Sequence, residues 1–259
     1  MRLAAIDLDG TLLRSDGTIS QRTREAIRAV RAGGVVVVIV TARGPSNVTE
    51  LAHDAGIDGS AICSNGALII DLANGKILRE RLLETDLAIQ LVRGLRERLP
   101  GIVFAVEHQA FAHEPGFMAW GWEPPAGTRV ADALELLADP TTKLILRHAD
   151  HEVEAIAAVA RELAGDGATV VQSGADAIEV TAAGVNKAAG LAEVADELGI
   201  DAADVIAFGD FPNDVPMLAW AGRGVAVANA HAEVLAVANE VTASNDDDGV
   251  AVVLEQLAG

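Results

Sequence analysis

The sequence predicts an α/β fold, a doubly wound Rossmann-like parallel sheet core with an inserted α+β cap domain. Three observations predict it. Short β-branched runs alternate with helical periodicity at both ends of the chain. The run at 35–40 is apolar at every position, as a strand covered by helices on both faces must be. Between about 84 and 183 this alternation gives way to longer helices, isolated strands and a Pro/Gly/Trp-rich stretch at 115–127. At 259 residues, against about 150 per domain, one domain with an insertion or two unequal domains is the expectation.

The elements follow in order. Residues 3–8 read as the first strand. Ser20 is placed to cap a helix over 21–31, with Ala26, Ile27 and Val30 on one face and Gly33-Gly34 as its stop. After the strand at 35–40, runs at 61–64 and 67–72 flank Asn65-Gly66, a favoured tight turn. The inserted segment carries a helix near 86–99, strands near 102–106 and 143–147, and a helix over 151–163. In that second helix Val153, Ile156, Ala157, Ala160 and Leu163 recur at helical spacing. Strands at 169–172 and 177–181 close the insert, and strands at 205–208 and 224–227 resume the first pattern. The expected domains are a core of 1–83 and 184–259 and an α+β cap of 84–183.

Composition narrows the function. Apolar residues make up 51% of the chain and charged residues 22%, enough to bury a sizeable core. Lys and Arg number 19 against 38 Asp and Glu, a formal charge of −19, which repels nucleic acid and anionic membrane. Cys63, the one cysteine, rules out an internal disulfide framework and fits a reducing compartment. Asp7 and Asp9 arrive before any apolar run long enough for a signal peptide, and the six aliphatic residues at 35–40 fall far short of a bilayer span. A cytoplasmic protein, monomer or homodimer, without nucleic-acid or membrane partners is expected.

The densest chemical signal is Asp7-Leu8-Asp9-Gly10-Thr11, placed where the first strand ends. In open α/β sheets ligands bind outside the carboxyl ends of the strands, and a spacing of two aims both carboxylates the same way in a strand. The alternative reading of the pair alone is a strand-end turn with two solvated acids. A calcium loop is excluded, because its sixth and twelfth positions, which call for Gly and Glu, are Leu12 and Thr18. Thr41-Ala42-Arg43 follows the second strand, Lys187 follows the insert, and Gly209-Asp210-Phe211-Pro212-Asn213-Asp214 follows the strand at 205–208. Alone these read as a helix cap, a solvated lysine and a polar loop. Together they bring a hydroxyl, a cation and further carboxylates to one sheet edge.

Order and spacing of these segments resemble the four motifs of the haloacid dehalogenase (HAD) superfamily of phosphohydrolases, and within it the Cof-like branch with a large C2-type cap. Ser64-Asn65-Gly66-Ala67, Val225-Ala226-Val227-Ala228-Asn229-Ala230 and the segment beginning Ser244-Asn245-Asp246 extend the resemblance over nearly the whole chain. The second motif departs from the family's Thr-Gly-Arg-Pro, since Ala42 replaces its glycine and Gly44 precedes Pro45.

The resemblance implies an Mg²⁺-dependent phosphatase that hydrolyses small phosphorylated metabolites, sugar phosphates foremost, through an aspartyl-phosphate. Asp7 would be nucleophile and Asp9 general acid and base. The metal would sit on Asp7, the carbonyl of Asp9 and Asp210, with Asp214 orienting its shell. Leu8, Thr41, Ala42, Lys187 and Asn213 would bind phosphate. Two elementary points agree. A carboxylate is already ionised at pH 7 and needs no base to attack phosphorus, and its repulsion by a phosphate dianion calls for cations. In the insert, Glu107, His108, Phe111, His113, Trp120 and Trp122 are candidates for choosing the substrate, with core or cap packing as the alternative for each. Arg43 would reach a substrate anion or pair with a core acid, and the run 246–248 reads as a surface loop capping the last helix.

A phosphomutase or other phosphotransferase on the same scaffold is the enzymatic rival; the Gly209 to Asp214 loop is shorter than expected for phosphomannomutase-like relatives. A phospho-aspartate switch protein is a second rival, but simple receiver domains are about half this length. Gly222-Arg223-Gly224 lacks the third glycine of a dinucleotide fingerprint, and no Walker-type loop occurs.

Overall fold

A computed structural model describes residues 1–120, 124, 127–174 and 176–258. It divides into two compact units, residues 1–79 with 186–259 and residues 80–185. In chain order the first unit begins with β1 (Leu3–Ile6), α1 (Gln21–Ala32), β2 (Val36–Val40), α2 (Val48–Ala55), β3 (Ser60–Cys63), β4 (Leu68–Asp71) and β5 (Ile77–Glu80). The second holds α3 (Thr85–Arg98), β6 (Val103–Glu107), β7 (Phe111–His113), β8 (Arg129–Val130), α4 (Ala133–Leu136), β9 (Lys143–Arg147), α5 (Val153–Ala164), β10 (Ala168–Gln172) and β11 (Ile178–Ala182). The chain then returns through α6 (Lys187–Leu198), β12 (Val205–Gly209), α7 (Val215–Trp220), β13 (Arg223–Ala226), α8 (Ala232–Val237), β14 (Glu240–Val241) and α9 (Gly249–Ala258).

Among the described residues the first unit forms an eight-stranded sheet of order β14-β13-β12-β1-β2-β3-β4-β5. Pairing is parallel from β14 through β3, and β4 returns antiparallel on β3. The chain winds outward from β1 through β2 and β3, then outward the other way through β12, β13 and β14. β1 is therefore the switch point, where an open sheet leaves a crevice at its carboxyl edge.

Strand alternation explains why both faces are dry. Ala4, Ile6, Val37 and Ile39 pack with Ile27, Val30, Ala52 and Val253 of α1, α2 and α9. Leu3, Ala5, Val38 and Val40 pack with Leu191, Val194, Met217 and Val234 of α6, α7 and α8. Each fully buried Leu, Ile or Val contributes roughly 1.5–3 kcal/mol, so β1 is held from both sides and fixes where Asp7 emerges. α1 starts at the predicted cap, with the Ser20 side chain accepting from the Thr23 amide at 3.0 Å.

In the second unit the sheet order is β10-β11-β9-β6-β7-β8 among the described residues. α3, α4 and α5 cover one face, burying Leu91, Leu95, Leu136, Ile156 and Ala160 against Phe104, Leu144, Leu146 and Val180. The opposite face carries a smaller cluster of Ala105, Phe117, Ile145 and Ala177. No helix among the described residues is long and apolar enough to cross a membrane.

Candidate active site

β1 pairs with its neighbours through Ile6, and the next residue, Asp7, takes its last bond from the sheet, donating its amide to Phe208 at 3.1 Å. The chain then turns, with Leu12 N–H donating to the Asp7 carbonyl and Leu13 N–H to Leu8. Ala4, Ile6 and Leu8 lie in one core cluster and Leu3 and Ala5 in the other, so alternation carries past Asp7. The two acids differ in burial. Asp7 is buried, whereas the Asp9 side chain is 59% exposed and held bidentate by Arg43 at 2.7 and 2.5 Å. Leu8 between them turns its side chain into the core.

The loops after β12 and before α6 converge on Asp7. Lys187, at the first turn of α6, donates to Asp7 Oδ1 and to Asp214 Oδ1, each at 2.6 Å, and is itself buried. Asn186 fixes the start of that helix by accepting from the Ala189 amide at 2.9 Å. The other oxygen of Asp214 accepts the amides of Asp210 and Phe211 at 3.1 Å, so this fully buried acid holds the loop and the lysine together. One carboxylate oxygen each from Asp7, Asp210 and Asp214 lies within 4.8 Å of the others. The sequence set aside two residues that complete this corner. Thr11 Oγ1 donates to Asp210 at 3.0 Å. Gly10, at φ +78°, leaves room for Asp210, whose Oδ2 would lie 2.3 Å from any Cβ there. Its place in Asp-Leu-Asp-Gly-Thr was the available signal.

Electrostatics follow from the count of charges. Three carboxylates face one ammonium. Burial, joined by Asp214 and Asp210, raises the Asp7 pKa well above the ordinary range despite Lys187. Burial and then Asp214 push Asp210 up to about 6. Burial disfavours charge on Lys187, but Asp214 and Asp7 outweigh it and raise its pKa. The corner is short of positive charge and its donors are hard oxygens, which suits a divalent cation such as Mg²⁺.

Thr41 is buried where β2 ends, and its Oγ1 accepts the Arg43 amide at 3.1 Å, leaving its O–H to donate elsewhere. Ala42 beside it is half-buried. Asn213 donates to Asn65 Oδ1 at 2.9 Å, a contact the sequence did not reveal. The candidates in the insert are engaged within their own unit. Glu107 pairs with Lys143 at 2.8 Å, His108 with Glu80 at 2.8 Å, and His113 Nδ1 with the Glu114 carbonyl at 2.8 Å, while Phe111 packs against the smaller cluster. Trp122 and the Trp120 side chain lie outside the described residues. Asp246 and Asp248 bind Ser15 and Arg14 near the start of α9.

Comparison with known proteins agrees with this architecture. A family model described as haloacid dehalogenase-like hydrolase matches residues 4–254. The chain belongs to the haloacid dehalogenase-like hydrolases. It is 34% identical to the 5-amino-6-(5-phospho-D-ribitylamino)uracil phosphatase YcsE of Bacillus subtilis, over 97% of this chain and 93% of that one. It is 30% identical to the pyridoxal phosphate phosphatase YbhA of Escherichia coli, covering 96% of each. Among solved structures, the HAD phosphatase BT1666 of Bacteroides thetaiotaomicron superposes with a TM-score of 0.84 at 25% identity, over 99% of this chain and 95% of that one. As a member of this family the chain is a phosphoric monoester hydrolase.

Proposed function

We propose that the enzyme is an Mg²⁺-dependent phosphatase of small phosphorylated metabolites, sugar phosphates foremost, acting through an aspartyl-phosphate on Asp7. The observation that carries this reading is the meeting of Asp7, Lys187, Asp210 and Asp214 at the switch point of the sheet, at bonding distance across 180 and 27 residues of sequence for the two lysine contacts. Asp7, the Asp9 carbonyl and Asp210 would hold the ion, backed by Asp214; its charge offsets the repulsion between a carboxylate and a phosphate dianion.

The remaining work falls to the chain. An Asp7 oxygen forms a bond to phosphorus while the ester P–O bond breaks, and Asp9 gives its proton to the departing alkoxide. Asp9 then takes a proton from water, whose oxygen attacks the phosphorus. Inorganic phosphate leaves and the Asp7 carboxylate is restored. Because Asp9 rests on Arg43, it must exchange that partner before it can carry a proton. The Thr41 hydroxyl, Asn213 and the amides of Leu8 and Ala42 would bond the non-bridging oxygens, with Lys187 as a fixed positive charge. Selection of the leaving group is assigned to the inserted unit, expected from sequence over 84–183.

The relatives named above act on a phosphoribityl compound and on pyridoxal phosphate, both small phosphorylated metabolites. A panel of sugar phosphates and phosphorylated cofactors, assayed for phosphate release with and without chelator, tests the proposal. Chelator-sensitive release of inorganic phosphate is expected. Isomerised sugar phosphate without phosphate release would instead identify a mutase, and equal activity in chelator would remove the metal.

A further inference from the structure

The turn between β3 and β4 goes beyond what an Asn-Gly hairpin needs, because Ser64 joins Asn65 and Gly66 at positive φ. Ser64 and Asn65, neither of them glycine, sit in the left-handed region at φ 49° and 57°, and both are buried. Gly66 follows at φ 99°. Conformations of this kind persist only where the surroundings over-determine them, and they gather at functional sites. Here the surroundings are the loops that carry the site. Ser64 N–H donates to the Arg43 carbonyl at 2.8 Å and Asn65 N–H to the Thr41 carbonyl at 3.0 Å, which binds the turn to the strand-end loop of Thr41. On its other side Gly66 meets the start of α6, where the Asn186 carbonyl would lie 2.4 Å from a Cβ at position 66. The residue next to that carbonyl is Lys187.

The turn delivers one side chain to the site. Asn65 Oδ1 accepts from Asn213 Nδ2 at 2.9 Å. Asn213 is only 9% exposed, and its own Oδ1 is buried with no hydrogen-bond partner. A buried amide oxygen left unbonded is costly, and the bond to Asn65 holds the amide in that orientation, nitrogen toward Asn65. It also leaves the second N–H of Asn213 directed by a rigid neighbour. We propose that Asn65 is a positioning residue for phosphoryl transfer: through its left-handed turn it orients the Asn213 amide so that the remaining N–H is presented to the phosphate. The inference rests on the phosphatase reading, in which Asn213 binds phosphate.

The test is a double-mutant cycle on full-length enzyme, with p-nitrophenyl phosphate and Mg²⁺ as probe. Asn65→Gly suits the backbone at φ 57° and removes the acceptor with the rest of the side chain. Asn65→Asp tolerates the same conformation and keeps an acceptor. The expected result for Asn65→Gly is a kcat lowered about tenfold to a hundredfold, the scale of a small misplacement, with KM little changed and Tm retained. Asn65→Asp should restore most of kcat while raising KM for the anionic substrate. In an Asn213→Ala background, Asn65→Gly should cost nothing further. Losses that multiply in the double variant, or an Asn65→Gly enzyme as active as wild type, would overturn the proposal. So would kcat and Tm falling together in both Asn65 variants. An Asn213→Ala enzyme with full activity would sink the phosphate-binding role of Asn213 beneath it, and is distinguishable because it appears in the single variant.

Discussion

At the scale of single residues the site is a problem of like charges held close. Asp7, Asp210 and Asp214 share a corner with Lys187, and burial keeps two of the acids' pKa values high. Gly10 is what lets Asp210 approach. Gly10→Ala should therefore weaken Mg²⁺ binding at least about tenfold, as lost support of a metal ligand does, while the enzyme stays folded; calorimetric titration of Mg²⁺ against both proteins checks it. Unchanged affinity would mean that Asp210 does not need its present position. Asp7, Lys187, Asp210 and Asp214 were legible as a set through the order and spacing of their segments, which resemble the family's motifs. That Asp9 is the acid Arg43 pairs with was not, since nothing in the sequence singles it out among the acids of this edge. Nor was the Asn65–Asn213 contact, which joins residues 148 apart in sequence.

At the scale of elements, two charged clusters make testable claims. Asp248, at φ 59° just before α9, accepts from Arg14 Nε at 3.1 Å and Nη2 at 2.8 Å. Burial alone would raise its pKa; the hydrogen bonds and charge of Arg14, with Ser20, outweigh it and hold the carboxyl below its ordinary value. Its contribution is therefore present above the unfolded value of about 4 and lost as pH falls through the folded one. Asp248→Asn should lower Tm by about 2–4 °C at pH 7, with the difference shrinking as pH falls below about 4 in paired melts. A difference that does not shrink as pH falls below about 4 would contradict the ion pair.

In the second unit Lys143 lies buried between Glu107 at 2.8 Å and Glu179 at 2.9 Å. Burial disfavours its charge, but the two glutamates prevail and raise its pKa. Lys143→Met leaves those acids facing each other, a loss of about 3–5 kcal/mol. Burial raises the Glu179 pKa despite Lys143, so protonation relieves the variant and the loss should shrink as pH falls from 7 to 4.5. Urea unfolding at the two pH values measures it. β9 itself was readable as a short apolar run, Leu144-Ile145-Leu146. β7, β8 and α4 were not: β7 and β8 have only three and two residues, and α4 is a single turn, too short to show a helical period.

At the scale of the whole molecule, function follows from topology. Winding outward in both directions from β1 brings the ends of β1, β2 and β12 side by side, so residues far apart in sequence become neighbours at one edge. This much was legible, since all-apolar strands alternating with helices leave few arrangements. Saturating Mg²⁺, about a hundredfold above its Kd, should raise the Tm of the intact chain on the order of 5–10 °C and leave Asp210→Asn unmoved. An equal shift in both proteins would place the ion elsewhere. The most direct measurement follows the phosphoryl group itself. Enzyme turning over a ³²P-labelled substrate in Mg²⁺ is quenched in acid and its peptides mapped. Acid-stable, hydroxylamine-labile phosphate on Asp7 and no turnover by Asp7→Asn are expected. Label on any other residue, or a turning-over Asp7→Asn enzyme, would contradict it.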